Sequence, residues 1–136
     1  MSYPIIGMLL LAVVSGVCST IGNAVEPAAG PSLKAENLLR EPILGVEGKE
    51  IIVSRISFPP HTKLPWHWHP GEEFFYVIEG SVTIKRRGQD DTPTAQGDAQ
   101  KIAPEVIHTG RTGEQGAELL IFRVHAAGEP ERYLVD

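Results

Sequence analysis

After about residue 41 the chain becomes a series of short apolar runs separated by turn residues. The clearest span residues 50–57, 73–78, 81–85, 99–102 and 118–124, rich in the Ile, Val, Phe and Leu that suit a pleated, half-buried surface. Glu79-Gly80 reads as a tight hairpin between two of them. Residues 86–96, with Gly88, Asp90, Asp91 and Pro93, read as a polar loop, and the triplet Lys85-Arg86-Arg87 before it reads as a solvated edge. Ahead of the first run, residues 25–41 read as a polar linker with Pro27, Gly30 and Pro31, in which 35–40 has room for one helical turn. The pattern predicts an all-β domain over 42–136.

The start of the chain follows a different pattern. All 12 basic and 17 acidic residues lie after Ala24. Within the uncharged stretch, residues 8–17 form a nearly continuous apolar run, and Gly22-Asn23-Ala24 resembles a signal-peptidase site. Residues 8–21 fall short of the ~20 apolar residues that a bilayer span needs. Residues 1–24 are therefore read as a cleaved signal peptide, and the mature protein is expected to be exported, periplasmic or secreted, with no membrane attachment. The single cysteine, Cys18, falls inside that signal, so no disulfide is expected in the mature fold.

Composition sharpens this picture. A chain of 136 residues, 42% hydrophobic, fits one domain. Fourteen Gly and 11 Pro favour many short elements joined by turns. The net charge of −5 leaves no cationic surplus for phosphates, so no nucleic-acid partner is expected.

Candidate chemistry is concentrated in Trp66-His67-Trp68-His69-Pro70-Gly71-Glu72-Glu73, with one more histidine, His108, downstream. Histidines two apart on a strand share a face. Glu73 keeps the same parity if the Pro70-Gly71 turn preserves the phase. Two imidazoles and a carboxylate suit a borderline divalent ion such as zinc, iron, manganese, nickel or copper. The pair alone is equally compatible with two surface histidines in a loop.

The wider spacing resembles both motifs of the cupin superfamily. The first motif runs from a glycine, over five residues, to His-x-His, then over three to Glu and over six to a second glycine. His67, His69, Glu73 and Gly80 fill its last four positions, and His61 stands where the leading glycine is usual. The second motif aligns with Gly97 and His108, but Ala103, Glu105 and Thr112 replace its Pro, Gly and Asn. The resemblance implies a double-stranded β-helix, a jelly-roll barrel, holding one divalent metal (Fe, Mn, Ni, Cu or Zn) through His67, His69, Glu73 and His108. Glu105 in place of glycine puts the approach of His108 in question, because a side chain disfavours positive φ. Glu72, of opposite parity, is excluded from the ligand set.

The same parity turns Trp66, Trp68, Phe74, Tyr76 and Ile78 away from the ligands. That face is large and apolar, which points to a cover by the second sheet's rim, the amino-terminal linker or another subunit, and a homodimer is expected. His61 and His125 are read as lone histidines outside the site. The resemblance implies a metal-dependent oxidoreductase, of dioxygenase or oxidase type, acting on a small organic substrate. The alternatives are a redox-neutral isomerase or lyase and a non-catalytic small-molecule binding module.

Overall fold

Two long antiparallel strands, β4 (Glu72–Arg86) and β7 (His108–Ala126), form the spine of the structure, a computed structural model that describes residues 32–136. Around them lie β1 (Lys34–Pro42), β2 (Lys49–Phe58), β3 (His67–Trp68), β5 (Thr92–Ala95), β6 (Ala99–Ile102) and β8 (Tyr133–Leu134). Every regular element among the described residues is a strand, as the apolar runs predict. Pairing runs β1-β2-β7-β4-β6 along one half of the curled sheet and β5-β4-β7-β3-β8 along the other.

The sheet turns its corner at Gly80 on β4 and Gly116 on β7, both at positive φ (72° and 68°). A Cβ on Gly80 would collide with the Gly116 carbonyl oxygen, and one on Gly116 with that of Phe58. Only glycine lets the three backbones meet there. Register shifts on either side of Gly80 move the inward set of β4 from Glu73, Phe75 and Val77 to Val82 and Ile84. The two halves therefore close over one core, to which Phe58, Phe75, Leu119 and Ile121 come from one half and Val82 and Ile84 from the other. Each such side chain contributes roughly 1.5–3 kcal/mol by leaving water.

Three local expectations are corrected. Glu79-Gly80 is a bend within one continuous strand instead of a hairpin. A left-handed glycine serves a bulged corner as well as it serves a turn, so the dipeptide looks alike in both. The expected loop at 86–96 contains β5, whose Pro93 is tolerated because β5 pairs on one side only. Residues 35–40 form no helical turn, and the stretch expected to be linker carries β1 from Lys34 onward. Every residue of β1 is exposed, so ladder bonds to β2 define it and no alternation marks it. The expected signal peptide lies outside the described residues.

Candidate metal centre

Three imidazoles meet inside the barrel. His67 on β3 pairs in register with His108, the first residue of β7, and their ring centroids lie 4.3 Å apart. His69, one step beyond β3, stands 5.0 Å from His67 and 5.2 Å from His108. One ring nitrogen of each lies within 4.8 Å of the others, and all three residues are buried. The expected period-two spacing of the first motif and the distant His108 thus converge.

Hydrogen bonding decides which nitrogen each ring presents. Nδ1 of His67 faces the Pro65 carbonyl at 2.8 Å, that of His108 the Val106 carbonyl at 2.8 Å, and that of His69 the Glu131 carbonyl at 2.5 Å. A carbonyl only accepts, so each Nδ1 carries the proton and each Nε2 keeps its lone pair. Burial lowers the His67 pKa to about 4 against the raising effect of its bond to Pro65, and burial also lowers that of His108. These two rings are therefore neutral donors at ordinary pH, as a metal requires.

Glu73 keeps the inward parity through the Pro70-Gly71 turn, and its Oε2 lies 3.0 Å from His69 Nε2. Burial alone raises its pKa, but the Arg123 guanidinium that donates to it counters burial, and its carboxyl lies below the usual carboxylate range. A carboxylate oxygen and an imidazole lone pair thus face each other with no proton between them, and His69 Nε2 is buried without a hydrogen-bond partner. A cation resolves that contact. Two donors bound to one ion at ~2.1 Å and at a right angle stand ~3 Å apart, so the three histidines fit a metal and Glu73, which lies outside their mutual grouping, is spaced to join it beside His69.

Sequence reasoning missed Arg123. Its Nε donates to Glu73 Oε2 at 2.8 Å and its Nη1 to Ser54 Oγ at 3.3 Å, while Ser54 Oγ donates to Asn37 Oδ1 at 2.6 Å. Arg123 shares the inward positions of Leu119 and Ile121, a parity that becomes informative only once the inward face of β7 is known. The excluded Glu72 points outward and pairs with Lys101 at 2.6 Å. Phe74 and Tyr76 lie on the outer face, 37% and 42% exposed. His61 is exposed and His125 fully buried, and neither belongs to the trio.

Both departures from the motif glycines keep the glycine backbone. His61 (φ 55°) and Glu105 (φ 61°) are the two non-glycine residues at positive φ among those described. The Glu105 N–H donates to the His69 carbonyl at 3.0 Å, which ties the second turn to the first motif and lets His108 reach the trio. Thr112, in the asparagine position, donates its Oγ1 proton to the Pro59 carbonyl at 2.7 Å and accepts from the Thr62 N–H.

Beside the trio opens a cavity of about 200 Å³. His67, His69, Glu73 and His108 line its polar side, and Ile56, Phe58, Phe75, Val82, Leu119 and Ile121 line its apolar side. The space suits a small organic molecule.

Comparison with known proteins agrees with this architecture. A family model described as Cupin domain matches residues 54–123. The auxin-binding protein ABP19a of Prunus persica is 25% identical over 126 residues, covering 89% of this chain and 57% of its own length. The fold is similar to DMSP lyase DddQ from Ruegeria pomeroyi DSS-3, with a TM-score of 0.64, 18% identity, and coverage of 76% of this chain and 51% of that one. A cupin superfamily protein from Desulfitobacterium hafniense DCB-2 gives a TM-score of 0.59 at 13% identity, covering 74% and 84%. This chain thus spans little more than half the length of the first two proteins.

Proposed function

This chain belongs to the cupin family, and on that premise we propose that it holds one divalent metal through His67, His69, His108 and Glu73 and oxidises a small organic substrate with dioxygen. The observation that carries the reading is three buried imidazoles, each with Nδ1 committed to a carbonyl, opening on an apolar-walled cavity. Iron, manganese, nickel, copper or zinc would supply a Lewis acid with positions open beyond four protein donors, and the redox-active ions would add oxygen chemistry. Glu73 brings negative charge, Arg123 fixes its direction, and Phe75 and Ile121 add apolar wall beside them.

A second reading is a redox-neutral lyase or isomerase, supported by the fold likeness to a protein named as a DMSP lyase. It ranks lower because the two carboxylates on the cavity wall, Glu73 and Glu131, are both engaged by Arg123 instead of being free to take a proton. A non-catalytic binding role is the third, supported by the relative named as auxin-binding. The proposal includes export and a homodimer. The apolar start and the Gly22-Asn23-Ala24 tripeptide support the first, and exposed Phe74 and Tyr76 support the second.

The test is metal analysis of protein recovered from its own compartment, followed by oxygen-electrode assays of protein reconstituted with each of the five metals. A panel of flavonoids, catechols, thiols and diketones is compared against Glu73→Ala. Oxygen uptake above the variant's rate supports oxidation. No uptake with any metal transfers the assignment to the lyase or binding reading.

A further inference from the structure

The C-terminal segment lies beyond the residues that the family model matches, yet it grips β3, which carries His67 and leads directly into His69. β8 pairs with β3, Leu134 opposite His67 and Tyr133 opposite Trp68. The Tyr133 ring stacks on Trp68 at 4.3 Å, and the Val135 N–H donates to the Trp66 carbonyl at 2.9 Å. Within this segment Glu131 is tied down most firmly. Its carboxylate accepts from Asn37 Nδ2 at 2.7 Å and lies 3.4 Å from both Arg40 Nη2 and Arg123 Nη1.

His69 depends on this residue in a way that His67 and His108 do not. Those two rings bond carbonyls two positions back on their own chain, Pro65 and Val106, contacts that come with the local backbone. The carbonyl that holds His69 is 62 positions away. Glu73 competes for the same proton, because its carboxylate stands 3.0 Å from Nε2. A His69 ring released from Glu131 would carry its proton on Nε2, facing Glu73, and the lone pair needed by a metal would be lost.

We propose that Glu131 is a positioning residue for the metal centre: its main-chain carbonyl selects the Nδ1–H tautomer of His69, and its carboxylate, anchored on Asn37, Arg40 and Arg123, keeps that carbonyl in place. The consequence for metal rests on the metal-binding reading above, whereas the tautomer exists without metal.

The experiment is nitrogen NMR of histidine-labelled, metal-free, full-length protein at pH 7.5, paired with Co²⁺ titration. In the native chain all three rings are expected to show Nδ1–H. In Glu131→Ala/Tyr133→Ala, His69 is expected to move to Nε2–H while His67 and His108 stay, and Co²⁺ affinity is expected to fall roughly 10–100-fold. Glu131→Gln keeps an oxygen for Asn37 and is expected to retain the native tautomer. If the double variant does not fold, Glu131→Ala alone is read by the same criteria. His69 holding Nδ1–H in the variant, or showing Nε2–H in the native chain, overturns the proposal. A tautomer shift without Co²⁺ binding to the native chain upholds it and removes the metal reading instead.

Discussion

Arg123 donates to Glu73 at 2.8 Å inside the barrel, where both side chains are shut away from water. The pair places a cation against the carboxylate that also faces His69, so Glu73 stays ionised without metal. Burying two charges is costly, and removing one partner costs more than the pair itself is worth, because the other charge is left uncompensated. Arg123→Ala is therefore expected to destabilise the metal-free protein by about 3–5 kcal/mol. Added Zn²⁺ is expected to recover part of the loss by supplying positive charge beside Glu73. Urea unfolding with and without Zn²⁺ checks both, and an Arg123→Ala midpoint within error of the native value would contradict the assignment.

His61 and Glu105 hold left-handed backbone at two of the positions where the family motifs carry glycine. A side chain in that region costs roughly 1–2 kcal/mol, partly offset by the extra freedom that glycine brings to the unfolded chain. His61→Gly and Glu105→Gly are each expected to stabilise the fold by about 0.5–1 kcal/mol. Thermal unfolding measures this as a rise of a few degrees. A fall in either variant would mean that its side chain contributes contacts outweighing the strain.

Those two turns also show where the sequence was legible. His67, His69 and Glu73 could be read because period-two parity survives the Pro70-Gly71 turn. The doubt over His108 came from Glu105, whose side chain predicts a changed turn, yet the bond from its N–H to His69 keeps the glycine conformation. Arg123 was hidden because β7 is apolar on both faces, with Leu119 and Ile121 inside and Leu120, Phe122 and Val124 outside. Without an inward side to choose, one charged position is ambiguous. Glu131 was unreadable for a deeper reason: it serves His69 through a main-chain carbonyl, which every residue has.

Burial sets the acid limit of the metal-free protein. The His67 pKa is lowered from its ordinary 6.5 to about 4, and that of His108 is also lowered, so between these values the unfolded chain takes up protons that the native chain refuses. Stability contributed by these rings is present above pH 6.5 and is lost as pH falls through that window towards 4. Glu73 acts lower, its contribution being present above 4.5 and lost as pH falls towards about 2. Urea midpoints at pH 7, 5.5 and 4.5 are expected to decrease in that order. A flat profile would show that the native rings accept protons freely.

His108 is expected to be needed for metal binding alongside the His67/His69 pair. Its ring is the nearest neighbour of His67 within the trio, at 4.3 Å, and its Nδ1 is already committed to the Val106 carbonyl. It comes from β7, whereas His67 and His69 sit on one short segment that β8 also holds. The His67/His69 segment supplies two donors from one side, and the second strand closes the set. Loss of His108 therefore removes the donor that two-point binding on a single segment cannot replace. His108→Ala is expected to weaken Zn²⁺ or Co²⁺ binding by at least ~100-fold, beyond the 10–100-fold typical of losing an outer partner. The His67→Ala/His69→Ala variant is expected to bind none stoichiometrically. Competition titration against a chromophoric chelator measures both, with circular dichroism confirming that each variant is folded. Native affinity in folded His108→Ala would place the metal elsewhere, and full occupancy in the double variant would dismiss the site.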